Sequence, residues 1–100
     1  MGNLQRLAMQ MQQEMGRIQA ELAEAEVEGS AGGGAVKAVA TGTQQLCSVT
    51  IDPAAVDPDD VEMLQDLVTA AVNEALSTAR KTGEQKMAAV TGGLRTPGMG

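Results

Sequence analysis

The sequence contains no phenylalanine, tyrosine, tryptophan or histidine, one cysteine and three prolines in 100 residues. Aromatic rings normally supply much of the buried area of a core, so this core must be built from aliphatic residues and methionine. The absence of histidine removes the commonest general base and a frequent metal ligand. The single Cys47 excludes an internal disulfide and fits a reducing compartment. These absences argue against an enzyme and favour a small core that is stabilised by oligomerisation.

The distribution of apolar residues is not typical of a membrane span or an export signal. No run approaches the roughly 20 apolar residues of a membrane span, and the first residues carry glutamines in place of a signal-peptide core. The sequence therefore predicts a cytoplasmic protein with one domain over residues 1–90 and a flexible tail over residues 91–100.

The net charge of −6 is distributed unevenly along the chain. Residues 1–20 carry a net +1, residues 21–75 a net −10 and residues 76–100 a net +3. Because nucleic-acid affinity depends on local neutralisation of phosphates, the negative total does not exclude DNA as a partner of the basic ends.

A first helix is predicted from about Asn3 to Ala25. At ~1.5 Å per residue it is roughly 35 Å long, so part of it must project beyond a small sheet. Two roles stay open for Arg17 on its polar face: an ion pair with Glu21 four residues later, or contact with a ligand. The apolar positions alternate by four and three, as along one side of a coiled coil: Leu4, Ala8, Met11, Met15, Ile18, Leu22 and Ala25.

The middle of the chain predicts a three-stranded antiparallel sheet. A short strand at 26–28 precedes a glycine-rich segment, and two β-rich runs, Val36–Thr41 and Leu46–Ile51, flank a turn. The glycines at 29–34 lack the Gly-Lys-Ser/Thr ending of a phosphate loop and are interpreted as a hairpin turn. Both sides of the last run carry apolar groups. We therefore expect one sheet face to pack on the chain's own helices and the other on a partner, without deciding which is which.

A second long helix is predicted from Asp57, as N-cap with Pro58 at the first helical position, to about Ala89. The aspartates around its start do not match a calcium loop and are interpreted as caps, not metal ligands. Cys47, with no histidine partner, is interpreted as a small core residue. The predicted buried stripe of this helix is Val61, Leu64, Val68, Val72, Ala75 and Ala79.

These motifs, in this order, resemble one family. A helix rich in glutamine and methionine, a glycine-rich turn, Val49-Thr50-Ile51-Asp52-Pro53, Glu62-Met63-Leu64-Gln65-Asp66-Leu67-Val68 and Ala70-Ala71-Val72-Asn73-Glu74-Ala75 are similar to those of the bacterial YbaB/EbfC nucleoid-associated proteins. The resemblance covers almost the whole chain. It implies an α+β fold, in which α-β-β-β-α subunits with two projecting helices form a tweezer-like homodimer. It also implies binding of double-stranded DNA with little sequence preference, a nucleoid location, and no catalytic residue, metal, cofactor or small-molecule substrate.

Pairing of the two helices is expected to bring the start of the first beside the end of the second, and so Arg6 near Arg80, Lys81 and Lys86. Lys86 continues the buried stripe of the second helix and is expected to face inward, toward the other prong of the dimer or the DNA between the prongs, unless Gly83 bends the helix or the lysine stem snorkels. The candidate phosphate contacts are Arg6, Arg17, Arg80, Lys81 and Lys86. The candidate dimer contacts are Val36, Ala38, Leu46, Val49 and Ile51.

Other functions stay open at this point. One is a methionine-rich interaction module or small chaperone that holds a client helix without binding DNA. Another is a structural dimer whose basic ends are simply solvated, and an enzyme is the least favoured. Strong salt dependence of binding distinguishes DNA binding from the interaction module.

Overall fold

A computed structural model describes residues 2–93 of the chain. The element order is α-β-β-β-α, as the sequence predicts, with a single short 3-10 turn added after the sheet. Residues 94–100, which form most of the predicted tail, lie outside the described part. The elements are α1 (Gly2–Glu24), β1 (Glu26–Ala31), β2 (Val36–Thr41), β3 (Leu46–Ile51), the 3-10 turn (Pro53–Ala55) and α2 (Val61–Gly93).

The three strands form an antiparallel meander in the order β1-β2-β3. β1 runs past its predicted end at residue 28, because Gly29 pairs with Ala38 inside the sheet instead of starting the turn. A side chain at Gly29 would place its Cβ 2.3 Å from the backbone nitrogen of Ala75. Glycine at this position therefore lets α2 approach β1 closely, and residues 32–34, all glycines with positive φ, make the turn.

The core lies between α2 and the first two strands. Small residues dominate its fully buried part, which lets the helix lie close to the sheet. Of the predicted α2 stripe, Ala75 and Ala79 are fully buried, whereas Val61 at the first helical position is 51% exposed. The fully buried cluster consists of Val36, Ala38, Ala40, Ala71, Ala75 and Ala79.

Leu46 and Val49 of β3 share a face with the core but are not covered by α2. Cross-strand neighbours point to the same side, and Val49 lies opposite Ala38 while Ile51 lies opposite Val36. Leu46 is nevertheless 43% and Val49 36% exposed. A helix about 10 Å wide covers roughly two strands spaced ~4.8 Å apart, so the third strand extends past its edge.

A β-bulge explains why the apolar groups of β3 lie on one side only. Val39 pairs with Ser48, but the next residue of β2, Ala40, pairs with Leu46, so Cys47 is an extra residue in the ladder. This places Leu46 on the same face as Val49, which strict alternation would put on the opposite face. Cys47 is exposed at the bulge, so its interpretation as a core residue is wrong.

The start of α2 also differs from its prediction. The helix begins at Val61, and Asp60 is the residue that caps it: its Oδ1 accepts a hydrogen bond from the backbone N–H of Met63 at 3.1 Å. Asp57 instead closes a turn, accepting from the N–H of Asp59 at 2.9 Å. Pro58 therefore lies in a turn that precedes the helix.

We expect Asp60→Ala to lower the free energy of unfolding by about 1 kcal/mol, because the lost carboxylate leaves a helix N–H without its cap. Urea denaturation at a fixed protein concentration measures this change. Asp57→Ala is the matched control, since it removes the same charge from the turn and should cost less. An equal or larger loss for Asp57→Ala would contradict the assignment of the cap.

Candidate nucleic-acid interface

The two helices meet in an antiparallel manner at the end of the sheet. Ile18 and Leu22 are the buried residues of α1. Leu22 packs against Gly42 of the turn between β2 and β3, where a Cβ would lie 2.8 Å from its Cδ2, and also close to Gly83 of α2. Residues 2–17 of α1 are all exposed, so the first two thirds of this helix project away from the sheet.

A cleft of about 460 Å³ lies between the projecting parts of α1 and α2. Its apolar lining comes from both helices: Leu7, Met11, Ile18, Ala89 and Val90. Its polar lining is Gln10, Glu14, Arg17, Glu21 and Lys86. Lys86 therefore faces α1 of its own chain.

A network of ion pairs occupies the polar side of this cleft. Arg17 donates to Glu14 at 2.5 Å and to Glu21 at 2.7 Å, so the ion pair predicted from the four-residue spacing is present. The Nζ of Lys86 donates to Oε2 of Glu21 at 3.4 Å and joins the two helices. Arg17 and Lys86 are therefore partly neutralised by the carboxylates of this cleft.

Glu21 is the centre of the network. The hydrogen bond from Lys86, with the charge of Arg17, holds the pKa of the Glu21 carboxyl below its ordinary value. A lowered pKa in the folded chain means that the network stabilises the fold above the ordinary glutamate value of about 4.3. This contribution is lost as the pH falls through the lowered folded value, so the network is intact at neutral pH.

The remaining candidate cations lie in two separate places. Arg6 is exposed on the projecting part of α1, roughly 24 Å along the helix from Leu22 at ~1.5 Å per residue. Arg80 lies beside Gln44 of the turn between β2 and β3, near the sheet. The structure therefore does not bring Arg6 and Arg80 together, although both lie on the long helices.

The side chains of these cations are open to solvent. Arg80 is 60% exposed, and its ion pair with Glu84 is long, at 3.9 Å. Arg6 and Lys81 form no ion pair within residues 2–93. The side chains of these three residues are therefore more available to a phosphate than those of Arg17 and Lys86. Helical spacing alone does not reveal this for Lys86, because its partner Glu21 lies 65 residues away in the sequence.

The candidate dimer contacts also divide into two groups. Val36 and Ala38 are fully buried beneath α2, so their side chains belong to the chain's own core and cannot reach a partner. Leu46 and Val49 are exposed, and Ile51 is half-buried at the edge of the core. Only the β3 members of the predicted set therefore stay available to a second subunit.

Other kinds of site find no support in the described residues. Residues 2–93 contain no group of three or more His, Cys, Asp or Glu side chains arranged to hold a metal ion. In the same part of the chain, neither helix is both long and apolar enough to cross a membrane.

Sequence comparison identifies the family. The chain matches the profile of the YbaB/EbfC DNA-binding family over residues 1–94. The chain belongs to this family. Membership confirms the resemblance seen in the sequence and the prediction that the protein is not an enzyme.

Relatives at about half identity are named nucleoid-associated proteins. A nucleoid-associated protein of Moorella thermoacetica is 54% identical, with 98% of this chain and 97% of the relative covered. One of Clostridium novyi is 53% identical, covering 97% of this chain and 85% of the relative. The crystal structure of the uncharacterized Helicobacter pylori protein HP0035 is similar with a TM-score of 0.80 at 19% identity, over 91% of this chain and 96% of that one. This structural likeness confirms the fold of the YbaB/EbfC chain.

Proposed function

We propose that this YbaB/EbfC protein binds the phosphate backbone of double-stranded DNA with little sequence preference, and that it organises the nucleoid or modulates gene expression there. The observation that carries the proposal is the solvent-open positive charge of Arg6, Arg80 and Lys81 on two long helices. The acidic residues 52–62 lie at the other end of α2, away from the projecting helices. The protein thus presents exposed positive charge at separate places on its two helices despite its negative total charge.

The chemistry of the surface favours backbone contacts over base reading. No aromatic side chain is present to stack on bases. The described residues contain no pair of helices arranged as a helix-turn-helix, because the two helices flank a sheet and pair antiparallel. Arginine and lysine contacts to phosphates position a protein on DNA without reading its sequence.

A homodimer is the second part of the proposal. Support comes from β3, an edge strand that has no charged residue in Leu46–Ile51 and whose apolar side chains lie uncovered beside α2. An unpaired, uncharged edge readily accepts another strand. We infer that the uncovered face of β3 meets the same surface of a second copy. The dimer then presents each basic group twice.

The test of DNA binding is a salt series. Fluorescence anisotropy with a labelled random-sequence duplex should show an affinity that falls steeply with salt, with a slope of about −0.9 per phosphate neutralised. Unrelated duplexes should compete to a similar extent. An absence of binding at low salt, or strong preference for one sequence, would contradict the proposal.

The cleft between the helices favours a second candidate function, that of an interaction module for an amphipathic client helix. Leu4 is 72% and Met9 60% exposed on the projecting part of α1, and the cleft beside it is lined largely by apolar groups. Binding of this kind would depend weakly on salt. The salt series therefore separates the two functions.

We expect Glu21→Gln to raise the affinity for DNA severalfold, because the change frees Lys86 and relieves Arg17 of one of its two carboxylates. Glu14→Gln should have a smaller effect, since it relieves Arg17 alone. The same anisotropy assay measures both variants. Glu28→Gln, on the solvent side of β1, is the control for the general loss of one negative charge. Equal gains for Glu21→Gln and Glu28→Gln would contradict a specific role of the network.

A further inference from the structure

A shallow depression lies where the turn between β2 and β3 meets the outer side of α2. It has a volume of about 200 Å³ and is lined by Gln44, Asn73, Leu76, Ser77 and Arg80. Four of its five lining side chains are polar; Gln44 comes from the turn and the other four from α2, of which Leu76 alone packs against the core. The depression is therefore a surface feature whose polar groups are available to a ligand.

The chemistry of its lining suits an anion. Arg80 supplies a guanidinium group, and Gln44, Asn73 and Ser77 each supply a neutral hydrogen-bond donor. None of these three side chains makes a hydrogen bond to any residue between 2 and 93. No carboxylate lines the depression itself. Glu84, which is not part of the lining, forms a long ion pair with Arg80 at 3.9 Å, whereas Glu14 and Glu21 line the cleft between the helices and bind its cations at shorter distances.

The backbone at Gln44 is held in an unusual conformation at this point. Its φ of 64° makes it the sole non-glycine residue with positive φ in the described part of the chain. The turn is fixed by hydrogen bonds from the N–H of Gln44 to the Thr41 carbonyl at 3.0 Å and from the N–H of Gln45 to the Thr41 hydroxyl at 3.2 Å. Glycine would adopt this φ without strain, so the glutamine places a side chain beside Arg80 at some cost in backbone energy.

We propose that this depression is a binding site for one phosphate group of the DNA backbone. Arg80 neutralises its charge, and Gln44, Asn73 and Ser77 donate hydrogen bonds to its oxygens. The inference rests on the proposed function and extends it, because it adds the turn between β2 and β3 to the helices as part of the DNA surface. It also places a contact near the sheet, far from Arg6.

The first test compares two neutralised cations. In the anisotropy salt series, Arg80→Gln should make the slope less steep by about 0.9 for each depression that a bound DNA engages. Lys37→Gln is the matched control, since it removes the same charge from an exposed position on the solvent side of the sheet. Its slope should equal that of the unmodified protein. Equal slopes for all three proteins would overturn the inference.

The second test removes the glutamine side chain without disturbing the turn. Gln44→Gly keeps the positive φ, so the melting temperature should be maintained or raised. The variant should bind DNA severalfold more weakly while its salt slope stays unchanged, because the lost donor is neutral. In the unmodified protein, the side-chain amide NMR signals of Gln44 and Asn73 should shift when duplex is added. Unchanged affinity of Gln44→Gly together with unshifted signals would overturn the inference.

These results separate the inference from the proposed function. If the unmodified protein fails to bind duplex at low salt, both the proposed function and the phosphate site are contradicted. If it binds, but Arg80→Gln and Gln44→Gly bind as Lys37→Gln does, the depression is not a phosphate site while the proposed function stands.

Discussion

Reversing the charge of both Arg80 and Lys81 to glutamate should weaken the binding of every duplex by roughly a hundredfold. Each of the two side chains is exposed; Lys81 forms no ion pair within residues 2–93, and the ion pair of Arg80 with Glu84 is long, at 3.9 Å. Two charge-assisted hydrogen bonds at about 1.5 kcal/mol each sum to about 3 kcal/mol, which corresponds to this loss. The salt slope should become less steep by about 1.8 per subunit, because two phosphate contacts are lost. Anisotropy across a salt series measures both quantities.

The matched control for this loss is Lys37→Glu. It reverses one charge on the solvent side of the sheet, and it should change affinity far less than Arg80→Glu alone. Melting temperature and molar mass should hold in all variants, since Arg80 and Lys81 lie outside the core. Unchanged affinity in the double reversal would move the DNA surface to the projecting part of α1, where Arg6 lies.

The strands illustrate what local pattern determines. β2 and β3 have the predicted bounds because runs of β-branched and small residues between turn residues specify a strand locally. The bulge at Cys47 could not be predicted in the same way, since it is defined by which residue of β2 each residue of β3 pairs with. Because of this one unpaired residue, Leu46 lies on the core side of the sheet and not on the side that strict alternation predicts. The surface of β3 that is open to a partner therefore differs from the expected one.

The start of α2 shows competition between equivalent local signals. Asp57 followed by Pro58 is a good helix start, but Asp60 followed by Val61 is one as well. Asp57 instead closes a turn that reverses the chain, since the N–H of Asp60 donates to its carbonyl at 2.9 Å. The path of the chain from the sheet to α2 therefore makes Asp60, not Asp57, the cap. The capping motif alone does not determine this path, so the sequence pattern could not distinguish the two aspartates.

The charge pattern along the chain does not reveal which basic residues are available to DNA. The basic ends and acidic middle were visible as sums over segments. The partner of Lys86 is Glu21, however, and only the antiparallel meeting of α1 with α2 brings these two together. The same antiparallel arrangement leaves Arg6 far from Arg80. Availability of a cation to DNA is thus a property of the tertiary structure, whereas the excess of cations is a property of the sequence.

Val49→Asp should convert the proposed homodimer into a monomer. Val49 lies on the uncovered, α2-facing side of β3, opposite Ala38, at the centre of the surface proposed to meet a second copy. An aspartate buried there without a partner costs about 3–5 kcal/mol, so the dissociation constant should rise by roughly a factor of 100 to 4,000. Light scattering should then report a mass near 10.2 kDa instead of twice that value. The melting temperature should fall as well, because folding and association are linked.

Thr50→Asp distinguishes the two faces of the sheet. Thr50 is the next residue of β3, on the opposite, polar face, where its cross-strand neighbour is Lys37. An aspartate beside this lysine is paired and solvated, so mass and melting temperature should stay close to those of the unmodified protein. Dissociation by Thr50→Asp but not by Val49→Asp would place the interface on the polar face. A mass near 10.2 kDa for the unmodified protein at micromolar concentration would exclude the homodimer altogether, and DNA binding would then have to come from single chains.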